Sequence, residues 1–109
     1  MTRDEILNLS IYETEQLVID KILGWELSDR GFYADKDGQS PESYYTPANF
    51  KPGRDIAAAW MVLEKFTDVD IEKAGENYRV TINAFAQADA HTLPLAVCRA
   101  ALLAVLVPA

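Results

Sequence analysis

The chain is short of nearly everything that chemistry-bearing sites are made from. It has 109 residues with one cysteine, Cys98, and one histidine, His91. A lone cysteine forms no intramolecular disulfide, which suits a reducing compartment. Zinc sites recruit three or four ligands with paired Cys and His spacing. Asp89, His91 and Cys98 therefore make a poor metal cluster, and no metal or other cofactor is expected. Cys98 reads instead as a small buried hydrophobe. The same scarcity argues against a Cys–His nucleophile pair. The five glycines, at 24, 31, 38, 53 and 75, stand apart from one another. They form no phosphate-cradling loop and no nucleophile elbow, so they read as turn and cap residues. No catalytic constellation emerges, and a non-enzymatic protein is expected.

Clustered positive charge is also missing. Ten basic residues face 17 acidic ones, for a net charge of −7, and only Lys51 and Arg54 lie close in sequence. Binding to phosphate backbones relies on massed Lys and Arg, so nucleic acid and anionic membrane surfaces are disfavoured as partners. The longest apolar run, LPLAVCRAALLAVLVPA, carries Arg99 and two prolines. It falls short of the roughly 20 residues a membrane span needs. The N-terminus is charged and lacks a signal-peptide core. The expectation is one domain over 1–109, located in the cytoplasm.

What is present is an ordinary globular composition, half hydrophobic and a quarter charged. Thr2 with Glu5 and Ser10 with Glu13 form two capping boxes in succession. Ile11, Glu15, Val18 and Ile22 then recur at helical spacing up to Gly24, a natural C-cap. This predicts a short helical turn followed by a helix over about 11–23. Residues 25–30 alternate enough for a short strand. Asp55 caps a second helix, about 55–66, with Ile56, Trp60 and Leu63 on one face and small Ala57 and Ala58 suited to close approach. Thr92 and Pro94 open a third, about 93–106, whose only charge is Arg99.

Between the last two helices, Val69 and Ile71 alternate with Asp68, Asp70 and Glu72. Tyr78, Val80 and Ile82 alternate with Arg79 and Thr81. With turn residues 73–77 between them, this is a β-hairpin over 68–84 with one apolar face. Carboxylates of its first strand should lie across from Arg79. The acids side by side there read as a solvated, edge-blocking face rather than an acid–base pair. The fold class is α+β, a small mainly antiparallel sheet packed by three main helices. The last helix is apolar nearly all round, which suggests a second burial surface and hence a homodimer.

One segment resists this reading. Residues 31–53 hold three of the five prolines and three of the five glycines without periodicity. This long irregular loop carries the candidate binding residues Tyr33, Tyr44, Tyr45, Phe50, Lys51 and, just beyond it, Arg54. Tyr and Arg are favoured anchors at binding surfaces. Tyrosines could stack a base while Lys51 and Arg54 neutralise phosphate. The plainer alternative is a loop packed down through its rings.

Three stretches, TRDEILNL with the helix ending KILGW, RDIAAAWMVLEKF, and ADAHTLPLAVCRAALLAVL, resemble the phage ABA sandwich domain family of small Bacillus-type phage and prophage proteins. The resemblance covers about half the chain and implies an α-β-α sandwich acting inside a bacterial host. It implies no known activity and carries over no site residues. The polar face of the hairpin fits a fully covered sheet poorly, so coverage is partial, the face is solvated, or it meets a partner. Two functions follow as expectations. The first is an accessory protein acting by protein–protein interaction, on itself or on a host protein. The alternative is a binder of a small anionic ligand such as a nucleotide, through the aromatic-basic loop.

Overall fold

The computed structural model describes residues 1–35 and 45–107. Its helices begin where the side chains supply caps. Thr2 and Ser10 each accept the backbone N–H three residues on, and Glu5 and Glu13 reach back to the cap N–H. These reciprocal bonds open α1 (Arg3–Leu7) and α2 (Ile11–Val18). The helix α2 runs on as one π-helical turn, Ile19–Leu23, which ends at Gly24 with φ of 72°. The predicted helix over 11–23 is therefore present, with a wider final turn. Its buried stripe is Thr14, Glu15, Val18, Ile19 and Leu23, while Ile11 stays exposed.

Two short strands follow, β1 (Glu26–Leu27) and β2 (Tyr33–Ala34), paired antiparallel. Asp55 then caps α3 (Ile56–Leu63), its carboxylate accepting the Ala57 N–H at 3.0 Å. The expected face of α3 needs correction. Ile56 and Trp60 are 47% and 53% exposed, and the buried residues are Ala58, Ala59, Val62 and Leu63. The helix packs against the last helix, α4 (Leu93–Leu106). Ala58 and Ala59 on the inner side let the two axes approach, so the bulky Trp60 is turned outward.

The main sheet is antiparallel, ordered β3 (Val69–Ala74), β4 (Asn77–Ile82) and β5 (Ala86–Ala90). The predicted hairpin is its first pair, closed by a two-residue turn with Gly75 at φ of 65°. A positive φ at the first turn position matches the twist of the flanking strands. The third strand was not anticipated. Its Ala86, Ala88 and Ala90 are buried, alternating with Gln87 and Asp89, and α4 lies directly over them. Small side chains are what a closely packed helix tolerates there, although alanine itself disfavours strands.

The register places Val80, Ile82 and the three alanines on one face under α4. The opposite face carries Asp70, Glu72, Arg79, Thr81, Gln87 and Asp89, of which Asp70, Glu72 and Gln87 are exposed. The molecule is thus an α+β sandwich, sheet against helices. The helix α4 also packs on α1, α2, α3 and β4. Much of the apolar surface of α4 is thereby covered within the chain, while Val105 stays 47% exposed. No helix among the described residues is long and apolar enough to cross a membrane.

Candidate functional site

Among the described residues, Tyr33, Tyr45 and Phe50 form an aromatic cluster with Trp25. Tyr33 and Phe50 are 2% and 3% exposed, and Tyr45 is half-buried. Tyr45 stacks on Trp25 with ring centroids 5.6 Å apart and meets Phe50 at 4.8 Å. Trp25 also packs against Phe50 at 5.0 Å and Tyr33 at 6.4 Å. The Tyr33 N–H donates to the Tyr45 carbonyl at 2.7 Å, which ties both ends of the loop together. Tyr44 lies outside the described residues. The rings thus meet one another, as the packed-loop alternative requires.

Arg54, just beyond the loop, is directed to α2 instead. Arg54 donates through Nη2 to Glu15 Oε1 at 2.6 Å, and Gly53 N–H donates to Glu15 Oε2 at 3.1 Å. The carboxylate is deeply buried and the guanidinium half-exposed. That asymmetry makes Glu15 the anchor that holds 51–54 onto α2, and its hydrogen bond and charge raise Arg54 above its usual pKa. Lys51 is half-buried, and its carbonyl accepts the N–H groups of Arg54 and Asp55. A hollow of about 190 Å3 beside Tyr45 and Phe50 includes Asp55 but neither Lys51 nor Arg54. That hollow therefore brings Tyr45 and Phe50 together without either cation.

Sequence reasoning missed Glu15, although an acid at an apolar-stripe position was a visible signal. It did anticipate a first-strand carboxylate across from Arg79, but not Asp89 on the third strand. Arg79 lies opposite both Glu72 and Asp89. Its Nε and Nη2 donate to the two Asp89 oxygens at 2.8 and 3.0 Å, with Glu72 at 3.7 Å. The bidentate bond holds the Asp89 carboxyl below the usual range. Cys98 is buried within α4, where desolvation pushes its thiol far up. No group of three or more Cys, His, Asp or Glu placed to hold a metal occurs among the described residues.

An apolar opening lies elsewhere, between α3 and the edge strand β3. A cleft of about 270 Å3 is lined by Trp60, Leu63, Phe66, Val69 and Ile71, with Glu64 and Thr67 at its rim. Trp60 and Ile71, 53% and 41% exposed, form its outer lips. No strand among the described residues pairs with the outer edge of β3.

The family model for the phage ABA sandwich domain matches residues 16–102. The chain belongs to the phage ABA sandwich domain family. A similar solved structure is a phage protein from Bacillus cereus ATCC 14579, with a TM-score of 0.66 and 27% sequence identity. The match covers 89% of this chain and 88% of that one. No curated protein matches the chain. The Bacillus phage resemblance and the sandwich fold read from the three sequence stretches are thereby shown.

Proposed function

We propose that this member of the phage ABA sandwich domain family is a non-enzymatic accessory protein that binds another protein in the host cytoplasm, through the α3–β3 cleft. The carrying observation is the exposed Trp60 beside Phe66, Val69 and Ile71 on an unpaired sheet edge. Tryptophan is enriched among interface hot spots, and an edge unpaired among the described residues offers main-chain bonds to an added strand.

The charges around the cleft define the occupant. Glu64 is on the rim, and Asp68, Asp70 and Glu72 are exposed along β3. An extended segment alternating apolar and basic residues fits, its apolar side in the cleft and its cations over Asp70 and Glu72. A second copy of this chain fits the edge worse. Any register that keeps the apolar faces aligned sets Asp68, Asp70 and Glu72 against one another or against themselves, which is repulsive.

The test is a titration with a synthetic peptide alternating isoleucine and lysine, followed by amide shifts. Saturable shifts over Val69–Ala74 are expected, weakened by salt and by Glu72→Lys. Trp60→Ser should cost about 2 kcal/mol, roughly thirtyfold in affinity. Equal binding of a peptide alternating isoleucine and glutamate would overturn the charge argument. A dimer mass in light scattering that Ile71→Lys reduces to a monomer would make a second copy the occupant.

A further inference from the structure

The hydrogen-bonding pattern of the hairpin fixes which main-chain groups the edge strand β3 presents. Its register with β4 runs without a bulge from Ala74↔Asn77, beside the two-residue turn, to Val69↔Ile82. One step beyond, the Asn83 N–H donates to the Asp68 carbonyl at 2.9 Å. Bonded and non-bonded pairs alternate along an antiparallel ladder. Asp68, Asp70, Glu72 and Ala74 therefore turn their main-chain groups toward β4. Val69, Ile71 and Lys73 turn theirs outward, and no backbone hydrogen bond reaches them among the described residues. Each of the three offers both an N–H and a C=O to one residue of an added antiparallel strand.

The side chains of these same three residues share the inner face, because they stand opposite Ile82, Val80 and Tyr78. Val69 and Ile71 line the α3–β3 cleft. Lys73 is the next position of that row, beyond the cleft, and ends it with a cation. It is exposed, and its Nζ lies 5.0 Å from the centre of the Tyr78 ring. It makes no ion pair among the described residues. Glu72 stands on the other face, 3.7 Å from Arg79. The inner row of β3 thus runs apolar, apolar, cationic, while Asp70 and Glu72 on the outer face are anionic and exposed.

We infer that the β3 edge binds an extended peptide segment in one direction and one register, with Lys73 as the residue that sets both. The segment runs antiparallel to β3. Its first inward side chain is acidic and pairs with Lys73. The next two inward side chains are apolar and meet Ile71 and Val69 at the cleft. The two residues between them are basic and lie beside Glu72 and Asp70. Directly opposite side chains are close enough for each of these pairs to act. Reversing the segment in the same orientation sets its acid beside Val69 and an apolar side chain beside Lys73. A parallel strand of reversed sequence also reaches Lys73, but through the slanted and less stable ladder. This inference rests on the cleft being a protein-binding site, and it adds an acidic first residue to the alternating occupant.

The test uses the full chain with nitrogen labelling and three terminally blocked peptides, Glu-Lys-Ile-Lys-Ile, its reverse, and Lys-Lys-Ile-Lys-Ile. With the first peptide, hydrogen exchange at the Val69, Ile71 and Lys73 amides should slow. The Asp70, Glu72 and Ala74 amides, already bonded to β4, should change little. The first peptide should bind about fivefold more tightly than the lysine-first one, and Lys73→Glu should invert that order. The peptide comparison on the unmodified protein decides the matter even if Lys73→Glu fails to fold. Equal affinity of all three peptides would overturn the inference. So would unchanged exchange at Val69, Ile71 and Lys73 while Trp60 and Phe66 signals still shift, an outcome that leaves the cleft as a binding site. No shift at Trp60 or Ile71 with any peptide would overturn both the inference and the cleft.

Discussion

Replacing Glu15 with alanine removes the one carboxylate buried among the described residues, and the structure allows its effect to be worked out. Glu15 is 2% exposed and lies in the stripe with which α2 faces the interior. Alanine leaves the buried Gly53 N–H without its acceptor, which costs about 1–3 kcal/mol. It also deletes a buried methylene, worth about 0.8 kcal/mol. The half-exposed Arg54 returns to water and is left out of the sum. The total is roughly 2–4 kcal/mol, and at about 4 °C per kcal/mol for a chain this long, Tm falls by about 8–16 °C. The opposing effect is relief of carboxylate desolvation, which in some proteins makes replacement of a buried ion pair neutral or stabilising. Urea denaturation followed by circular dichroism and tryptophan fluorescence measures the balance. A lower midpoint with unchanged m-value is expected. Asp20→Ala, at an exposed pair with Lys21, serves as the surface control and should stay within about 0.5 kcal/mol. If Glu15→Ala changes stability no more than that control, the anchor role of Glu15 is refuted.

Other expectations follow from single residues. Gly53→Ala brings a Cβ to 3.1 Å from Glu15 Cγ and 3.3 Å from Ile11 Cγ2; the crowding should cost about 1–3 kcal/mol in the same urea assay. Ala84 adopts φ of 65° without being glycine, so Ala84→Gly should raise stability, by about 0.5–1 kcal/mol, and a loss of stability would refute strain at that turn. Cys98 is buried and its thiol is held protonated; a chromogenic thiol reagent should react with it only as fast as the protein unfolds. Asp89 has a depressed folded-state value, so its contribution is present above the ordinary carboxyl value of 3.8 and lost as pH falls below it. Acid unfolding of wild type should show that loss, and Asp89→Asn should lack it.

Much of the fold was written in local signals. The two capping boxes act over three residues, and both open helices where the sequence places them. The last helix matches its predicted span of 93–106, since Pro94 and the apolar run specify it without reference to the rest of the chain. The alternation of residues 69–82 was enough to predict the hairpin and first-strand carboxylates across from Arg79, although the turn is Gly75 and Glu76 alone rather than 73–77. These features depend on spacing along one element, and spacing is what a sequence displays.

The remainder depended on what packs against what. The third strand is built of alanines, which look like poor strand formers until α4 is seen lying on them. Trp60 looked like core, yet the small alanines of α3 are what the neighbouring helix selects. The sequence left open whether the rings of the 31–53 loop meet a ligand or pack down, and tertiary packing sets Tyr33, Tyr45 and Phe50 against Trp25. Glu15 and Arg54, which pair, are 39 residues apart. Sequence alone determined the family, the cappable helix starts and the hairpin. Only the folded chain could decide which faces turn inward and which distant polar groups meet, because burial and long-range pairing are properties of the whole packing and of no single element.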